Sequence, residues 1–167
     1  VLGRSVAALQ VVMDGGANLA AATKAGHTPL HLAAKHGNVE AIRKLCTVRG
    51  LVDLGDNTGS VPLHLAALAQ QLDAIQALKA AGASLEVRDN DGDTPLLAAV
   101  RSSLVASTRE LLACGANIEA RRPQSEYTPL HCSAVNGQLD LVRLLVSSGA
   151  SLQASDCDGD APLALAA

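Results

Sequence analysis

The chain has 167 residues, is 49% apolar, contains no Phe or Trp and one Tyr, and carries a formal net charge of −3. Ala, Leu and Val must then fill the interior, which suits thin helical layers stacked closely better than one large core. The 13 Lys and Arg are dispersed and no basic run exceeds Arg121-Arg122, so an electrostatic footprint for nucleic acid is not expected.

No apolar run approaches the roughly 20 residues that span a bilayer. Val1-Leu2-Gly3-Arg4 does not read as a signal peptide. The four cysteines, Cys46, Cys114, Cys132 and Cys157, form no C-x-x-C pair. They read as free thiols in a reducing compartment, not as a zinc or dithiol site.

In chain order, the first predicted element is a helix over Val6 to Met13. Its apolar residues fall on more than one face, as in a helix buried between neighbours. It should stop at Gly15-Gly16-Ala17, where glycine can take the left-handed conformation that ends a helix. A polar, Ala-rich stretch from Asn18 to Lys24 follows.

Then comes Thr28-Pro29-Leu30-His31-Leu32-Ala33-Ala34. It returns as Val61-Pro62-Leu63-His64, Thr94-Pro95-Leu96-Leu97, Thr128-Pro129-Leu130-His131 and Ala161-Pro162-Leu163-Ala164. The prolines at 29, 62, 95, 129 and 162 stand 33, 33, 34 and 33 residues apart. A fixed period of this length is the mark of a repeat array. Thr28 suits a helix N-cap and Pro29 the first helical position. The short apolar helix should end at Gly37. Asn38-Val39-Glu40 should turn the chain into a second helix over Ala41 to Thr47. The second helix is clearest in the fourth unit, where Leu139, Val142, Leu145 and Val146 form one stripe that ends at Gly149-Ala150. Between units, Asp56-Asn57-Thr58-Gly59, Asp89-Asn90-Asp91-Gly92 and Asp156-Cys157-Asp158-Gly159 read as tight turns projecting as fingers.

The T-P-L-H-L-A-A start, the Gly-Ala pairs at Gly16, Gly82, Gly115 and Gly149, and the D-x-x-G finger together resemble the ankyrin-repeat family. The resemblance covers essentially the whole chain. It implies an all-α solenoid of stacked antiparallel helix pairs with β-turn fingers. One domain over 1–167 is expected: half a repeat at 1–22, full repeats at 23–55, 56–88, 89–121 and 122–155, and the start of another at 156–167. Neither end has a polar capping repeat, so the chain is expected to be a piece of a longer array.

Departures from the pattern are specific. Leu97 replaces the motif histidine and Val61 the capping threonine. Gln70 and Ser103 replace the inter-helix glycine, and Arg49-Gly50 replaces a Gly-Ala pair. The finger Arg122-Pro123-Gln124-Ser125-Glu126 has no glycine and one added residue.

His31, His64 and His131 recur at one position and read as capping residues, not as metal ligands or acid–base groups; the resemblance implies a bond to the threonine hydroxyl and nearby backbone. The aspartates of Asp156-x-Asp158-x-Asp160 miss the glycine and glutamate spacing of a calcium loop and read as turn formers. Cys132 and His131 are adjacent on a helix, so their side chains diverge and form no nucleophile–base pair. No enzyme activity, cofactor, metal or small-molecule substrate is expected.

The resemblance implies a non-catalytic scaffold that binds another protein or peptide through finger tips and a concave helix face. Carried onto this chain, that face comprises Lys24, His27, Lys35 and His36, then Asn57, Ser60, Leu68 and Ala69. It continues through Asn90, Asp93, Arg101 and Ser102 to Arg122, Ser125, Tyr127, Val135 and Asn136. Tyr127, beside the irregular finger, is either a leading contact together with Arg101, Arg121 and Arg122, or a packing residue that compensates for the missing glycine. The alternative reading is a regulatory or structural segment of a larger enzyme, channel or cytoskeletal protein. The expected setting is intracellular, cytoplasmic or nuclear.

Overall fold

The computed structural model describes residues 2–48 and 50–166. Its helices are α1 (Leu2–Asp14), α2 (Pro29–Lys35), α3 (Val39–Leu45), α4 (Pro62–Leu68), α5 (Leu72–Ala80), α6 (Pro95–Arg101), α7 (Val105–Ala113), α8 (Pro129–Val135) and α9 (Leu139–Ser147). A 3-10 turn follows at Ala164–Ala166, and no strand occurs among the described residues. The fold is an all-α repeat solenoid of stacked helix pairs.

The chain divides into two compact units, the first ending at Ser84 and the second starting at Leu85. In the first, α2 pairs with α3 and α4 with α5, while α2 stacks on α4, α3 on α5 and α1 on α3. The seam is aliphatic: Leu30, Ile42, Leu45, Leu63, Ile75 and Leu78 are each at most 1% exposed. In the second, α6 pairs with α7 and α8 with α9, α6 stacks on α8 and α7 on α9. Leu97, Val100, Leu130, Cys132, Leu141 and Leu145 form its core. The alanines at Ala33, Ala66, Ala67, Ala98 and Ala99 are buried where first helices stack, so small side chains let the layers approach.

Each first helix begins at its motif proline. Thr28, Thr94 and Thr128 are extended N-caps whose hydroxyls accept from the N–H three residues on. Val61 has no hydroxyl to offer. There the Val61 N–H donates to His64 Nδ1 at 3.3 Å, which keeps one half of the box.

Two expectations from the sequence are corrected. The second helix of the first repeat runs from Val39 to Leu45, not from Ala41 to Thr47. Asn38 caps it, accepting from the Ala41 N–H at 3.0 Å, so Val39 and Glu40 form its first turn. It stops early where Thr47 Oγ1 donates to the Lys44 carbonyl at 2.7 Å, a local bond that competes with the helix. Gly50, at φ 85°, then turns the chain and Leu51 is buried behind it; Arg49 lies outside the described residues. The first helix is also not buried on all sides. Val11 and Val12 are 72% and 55% exposed, and among the described residues α1 packs against α3.

Positive φ appears where the repeat demands it. Gly37 and Gly137 connect the helices of their pairs at φ 67° and 62°. Gln70 and Ser103 hold the equivalent places at φ 54° and 59°. The backbone geometry is therefore retained where the glycine is lost.

Candidate protein-interaction surface

The fingers are built by their leading aspartates. Asp56 Oδ1 accepts from the N–H groups of Thr58 and Ser60 at 2.8 and 3.1 Å. Asp89 Oδ1 does the same for Asp91 and Asp93, and Asp156 Oδ1 for Asp158 and Asp160. Their lone pairs are thus engaged in turn formation. Among the described residues no group of three or more His, Cys, Asp or Glu is arranged to hold a metal ion.

Adjacent fingers of one unit are also bonded to each other. The Asn57 N–H donates to the Ala25 carbonyl and Asn57 Nδ2 to the Lys24 carbonyl at 2.8 Å. Gly26 permits this approach, since a Cβ there would lie 2.5 Å from Asn57 N. In the second unit the Cys157 N–H donates to the Ser125 carbonyl at 3.1 Å.

The irregular finger differs in size and in bracing. The Arg122 N–H donates to the Tyr127 carbonyl and the Glu126 N–H to the Arg122 carbonyl. In a regular finger the Asp56 N–H donates to Ser60 and the Gly59 N–H to Asp56. Glu126 therefore occupies the glycine's place in a loop one residue wider, at φ 54°. Arg122 Nε donates back to Asp93 Oδ1 at 2.8 Å, and Arg121 Nη1 donates forward to the Ser155 carbonyl at 2.6 Å. Pro123 closes over Gly92, where a Cβ would lie 2.5 Å from Pro123 Cδ.

Asp93 is 1% exposed and also accepts from Arg101 through Oδ2. The bond to this carboxylate pushes Arg101 above its already high ordinary value, and the same carboxylate binds both guanidiniums. Ser60 is 8% exposed. Asp93 and Ser60 therefore face inward, behind the surface expected of them.

The other expected contact residues lie nearer solvent. Lys24, Lys35, His36, Asn57 and Leu68 are exposed in the first unit, with His27 and Ala69 half-buried. Asn90, Arg101, Ser102, Val135 and Asn136 are exposed in the second, with Arg122 and Ser125 half-buried. Asn136 Nδ2 is drawn back onto the Cys132 carbonyl at 2.8 Å.

Tyr127 is half-buried, packs against the core of its unit and stacks on His131, with centroids 5.6 Å apart and planes at 15°. His27 sits on His31 in the same way, at 5.8 Å and 20°. The residue before the cap is thus a lid on the motif histidine in repeats one and four.

The motif histidines also tie repeats together. His31 Nε2 lies 2.9 Å from the Ser60 carbonyl and His131 Nε2 lies 3.1 Å from the Asp160 carbonyl. Each reaches the residue just before the next repeat's cap position. Burial pushes the Cys132 thiol up to about 11, so it is protonated at neutral pH and carries no nucleophilic thiolate.

A second ladder had a sequence signal that motif reading passes over. Asp53, Glu86 and Glu119 recur every 33 residues. Asp53 accepts from the Ser84 N–H at 3.1 Å, Glu86 from Asn117 at 2.9 Å and Glu119 from Ser151 at 2.7 Å. Each acid holds the loop that follows the next second helix. No helix among the described residues is long and apolar enough to cross a membrane.

The family model for ankyrin repeats matches in three copies, over residues 3–89, 48–122 and 105–167. No individual curated protein matches the chain. Domains of this family are typically non-catalytic and generally serve protein–protein interaction. The matches run from residue 3 to residue 167, through every helix pair described above, and the chain belongs to the ankyrin-repeat family.

Proposed function

We propose that the chain is a non-catalytic interaction scaffold that holds a protein or peptide partner with its finger tips and the outward positions of its first helices. The bracing of the finger from Arg122 to Tyr127 carries this reading. Arg122 ties it backward, Arg121 forward, and Tyr127 is anchored on His131. A surface fixed in advance loses little side-chain and loop entropy on binding. Around that frame Arg101, Ser102, Gln124, Val135 and Asn136 are exposed and free of stacking duties. Their mix of guanidinium, amide, hydroxyl and aliphatic groups suits a polypeptide, and the dispersed basic residues do not suit a phosphate backbone. The free thiols suit a reducing compartment.

A photo-crosslinking amino acid placed in turn at Ser102, Gln124 and Asn136, with Arg143 on α9 as the outer-face control, tests this in cell extract. A discrete polypeptide captured from the first three positions and lost in a Val135→Asp background is the expected result. Capture from Arg143 alone, or labelling of nucleic acid instead of polypeptide, would overturn the reading.

A further inference from the structure

His27, His31 and Asp56 close a ring of contacts between α2 and the finger 56–60. His31 is fully buried. Its Nδ1 lies 3.2 Å from Thr28 N and 2.9 Å from Thr28 Oγ1, and its Nε2 lies 2.9 Å from the Ser60 carbonyl oxygen. A carbonyl only accepts, so Nε2 carries the ring proton. A backbone N–H only donates, so Nδ1 is bare. Neutral imidazole in this tautomer is the one form that satisfies all three partners.

His27 covers the ring and its Nε2 lies 3.2 Å from Asp56 Oδ2. Asp56 Oδ1 holds the Thr58 and Ser60 N–H groups. The same five residues of finger are therefore tied twice, to α2 through Ser60 and to His27 just before its cap through Asp56.

We propose that His31 is an acid-released latch between α2 and the finger 56–60. A proton from water arriving at Nδ1 would meet the Thr28 N–H head-on, so the ring must leave the box to accept it. Leaving takes Nε2–H away from the Ser60 carbonyl and releases the finger from α2, while the Asn57 bonds to Lys24 and Ala25 and the His27–Asp56 contact remain. The open form binds one proton more than the closed form, so lowering the pH populates it, starting below the ordinary imidazole value of about 6.5.

Burial holds His31 below its ordinary value, outweighing the Ser60 carbonyl and the facing Asp56 carboxylate, which favour a proton, while the facing His27 opposes one. Burial acts to raise Asp56, but the hydroxyl and N–H of Thr58 and the N–H of Ser60 outweigh it and keep that carboxyl below its usual range. The aspartate is therefore still charged where the latch opens. This inference concerns the finger alone and needs no partner.

Repeat three supplies the control. Leu97 stands at the histidine position, fully buried beside the Thr94 cap, so this helix start folds without an imidazole. Amide hydrogen exchange of the whole chain, corrected for intrinsic rates, reads the latch at Thr28, whose N–H is bonded to His31 Nδ1, with Ile75 and Leu78 reporting global opening. Between pH 7.5 and 5.5, protection at Thr28 should fall about tenfold while Ile75 and Leu78 hold, and His31→Leu should abolish the fall. Unchanged protection at Thr28, an equal fall in His31→Leu, or a parallel fall at Ile75 and Leu78 would each overturn the latch. Should His31→Leu not fold, an NMR titration of the His31 ring in the unaltered chain decides. A ring that titrates at about 6.5 while the Thr28 amide keeps its protection sinks the proposal.

Discussion

Arg122 donates from Nε to the Asp93 carboxylate at 2.8 Å across 29 residues of sequence, and the second oxygen of that carboxylate accepts from Arg101. One buried acid therefore aligns a guanidinium from α6 with a guanidinium from the next finger. Asparagine keeps one acceptor oxygen but removes the charge and turns the other oxygen into an amide donor facing a guanidinium, while the surrounding packing is retained. Asp93→Asn should lower the unfolding free energy by about 1.5–3 kcal/mol, the range for hydrogen bonds to a charged group. Arg101 is 41% exposed in its side chain, so Arg101→Gln should cost only about 0.2–1 kcal/mol. Urea denaturation of the two variants measures the difference; equal losses would mean that Asp93 is not the organising group.

The left-handed residues at the helix connections offer a gain of stability. Gln70 at φ 54° is exposed, and an L-residue there costs about 1–2 kcal/mol relative to right-handed backbone. Glycine removes that strain but adds freedom to the unfolded chain. Gln70→Gly should therefore stabilise by about 0.5–1 kcal/mol. Ser103→Gly should gain less, because Ser103 Oγ accepts from Gln138 Nε2 at 2.7 Å and that bond would be lost. Thermal midpoints of the two variants check the order. A loss of stability in Gln70→Gly would show that the strain relieved is smaller than the freedom glycine adds to the unfolded chain.

The caps can be weighed against one another inside the same chain. The Thr128 hydroxyl accepts from the His131 N–H and lies 2.8 Å from His131 Nδ1. Thr128→Ala should cost about 1 kcal/mol. Val61 occupies the equivalent place without a hydroxyl and is 1% exposed. Threonine has nearly the same shape, so Val61→Thr should be neutral or gain up to about 1 kcal/mol. A Thr128→Ala protein as stable as the parent would remove the capping account of this position.

The repeat was legible because stacking fixes certain positions and therefore repeats them. Thr28, Pro29, Leu30 and His31 announce a helix start by chemistry that is local and periodic. The positive φ at Gln70 and Ser103 could be located only because glycine fills that place in other repeats. The acid ladder of Asp53, Glu86 and Glu119 was equally periodic, but an acid in a polar loop has many uses and its partner is a backbone N–H about 31 residues away. Burial of Asp93 was hidden for a similar reason. Its position in a finger suggests solvent, and only the folded chain shows two arginines closing over it. Candidate contact residues are the least legible part, since they are the positions that stacking leaves unconstrained.

Tyr127 stands where packing and contact meet. Its ring lies on His131 and against the core of its unit, in the place that His27 takes over His31. Its hydroxyl is not needed for that stacking. Tyr127→Phe should therefore leave the thermal midpoint close to the parent's, and Tyr127→Ala should lower it by uncovering His131 and the edge of the core. Tyr127→His, which copies the arrangement of repeat one, should fall between them. Calorimetry on the three variants gives this order. Binding of a captured partner separates the second role, because a hydroxyl contact is lost in Tyr127→Phe whereas a packing residue loses binding only in step with stability. A midpoint unchanged in Tyr127→Ala would show that the ring is not a lid on His131.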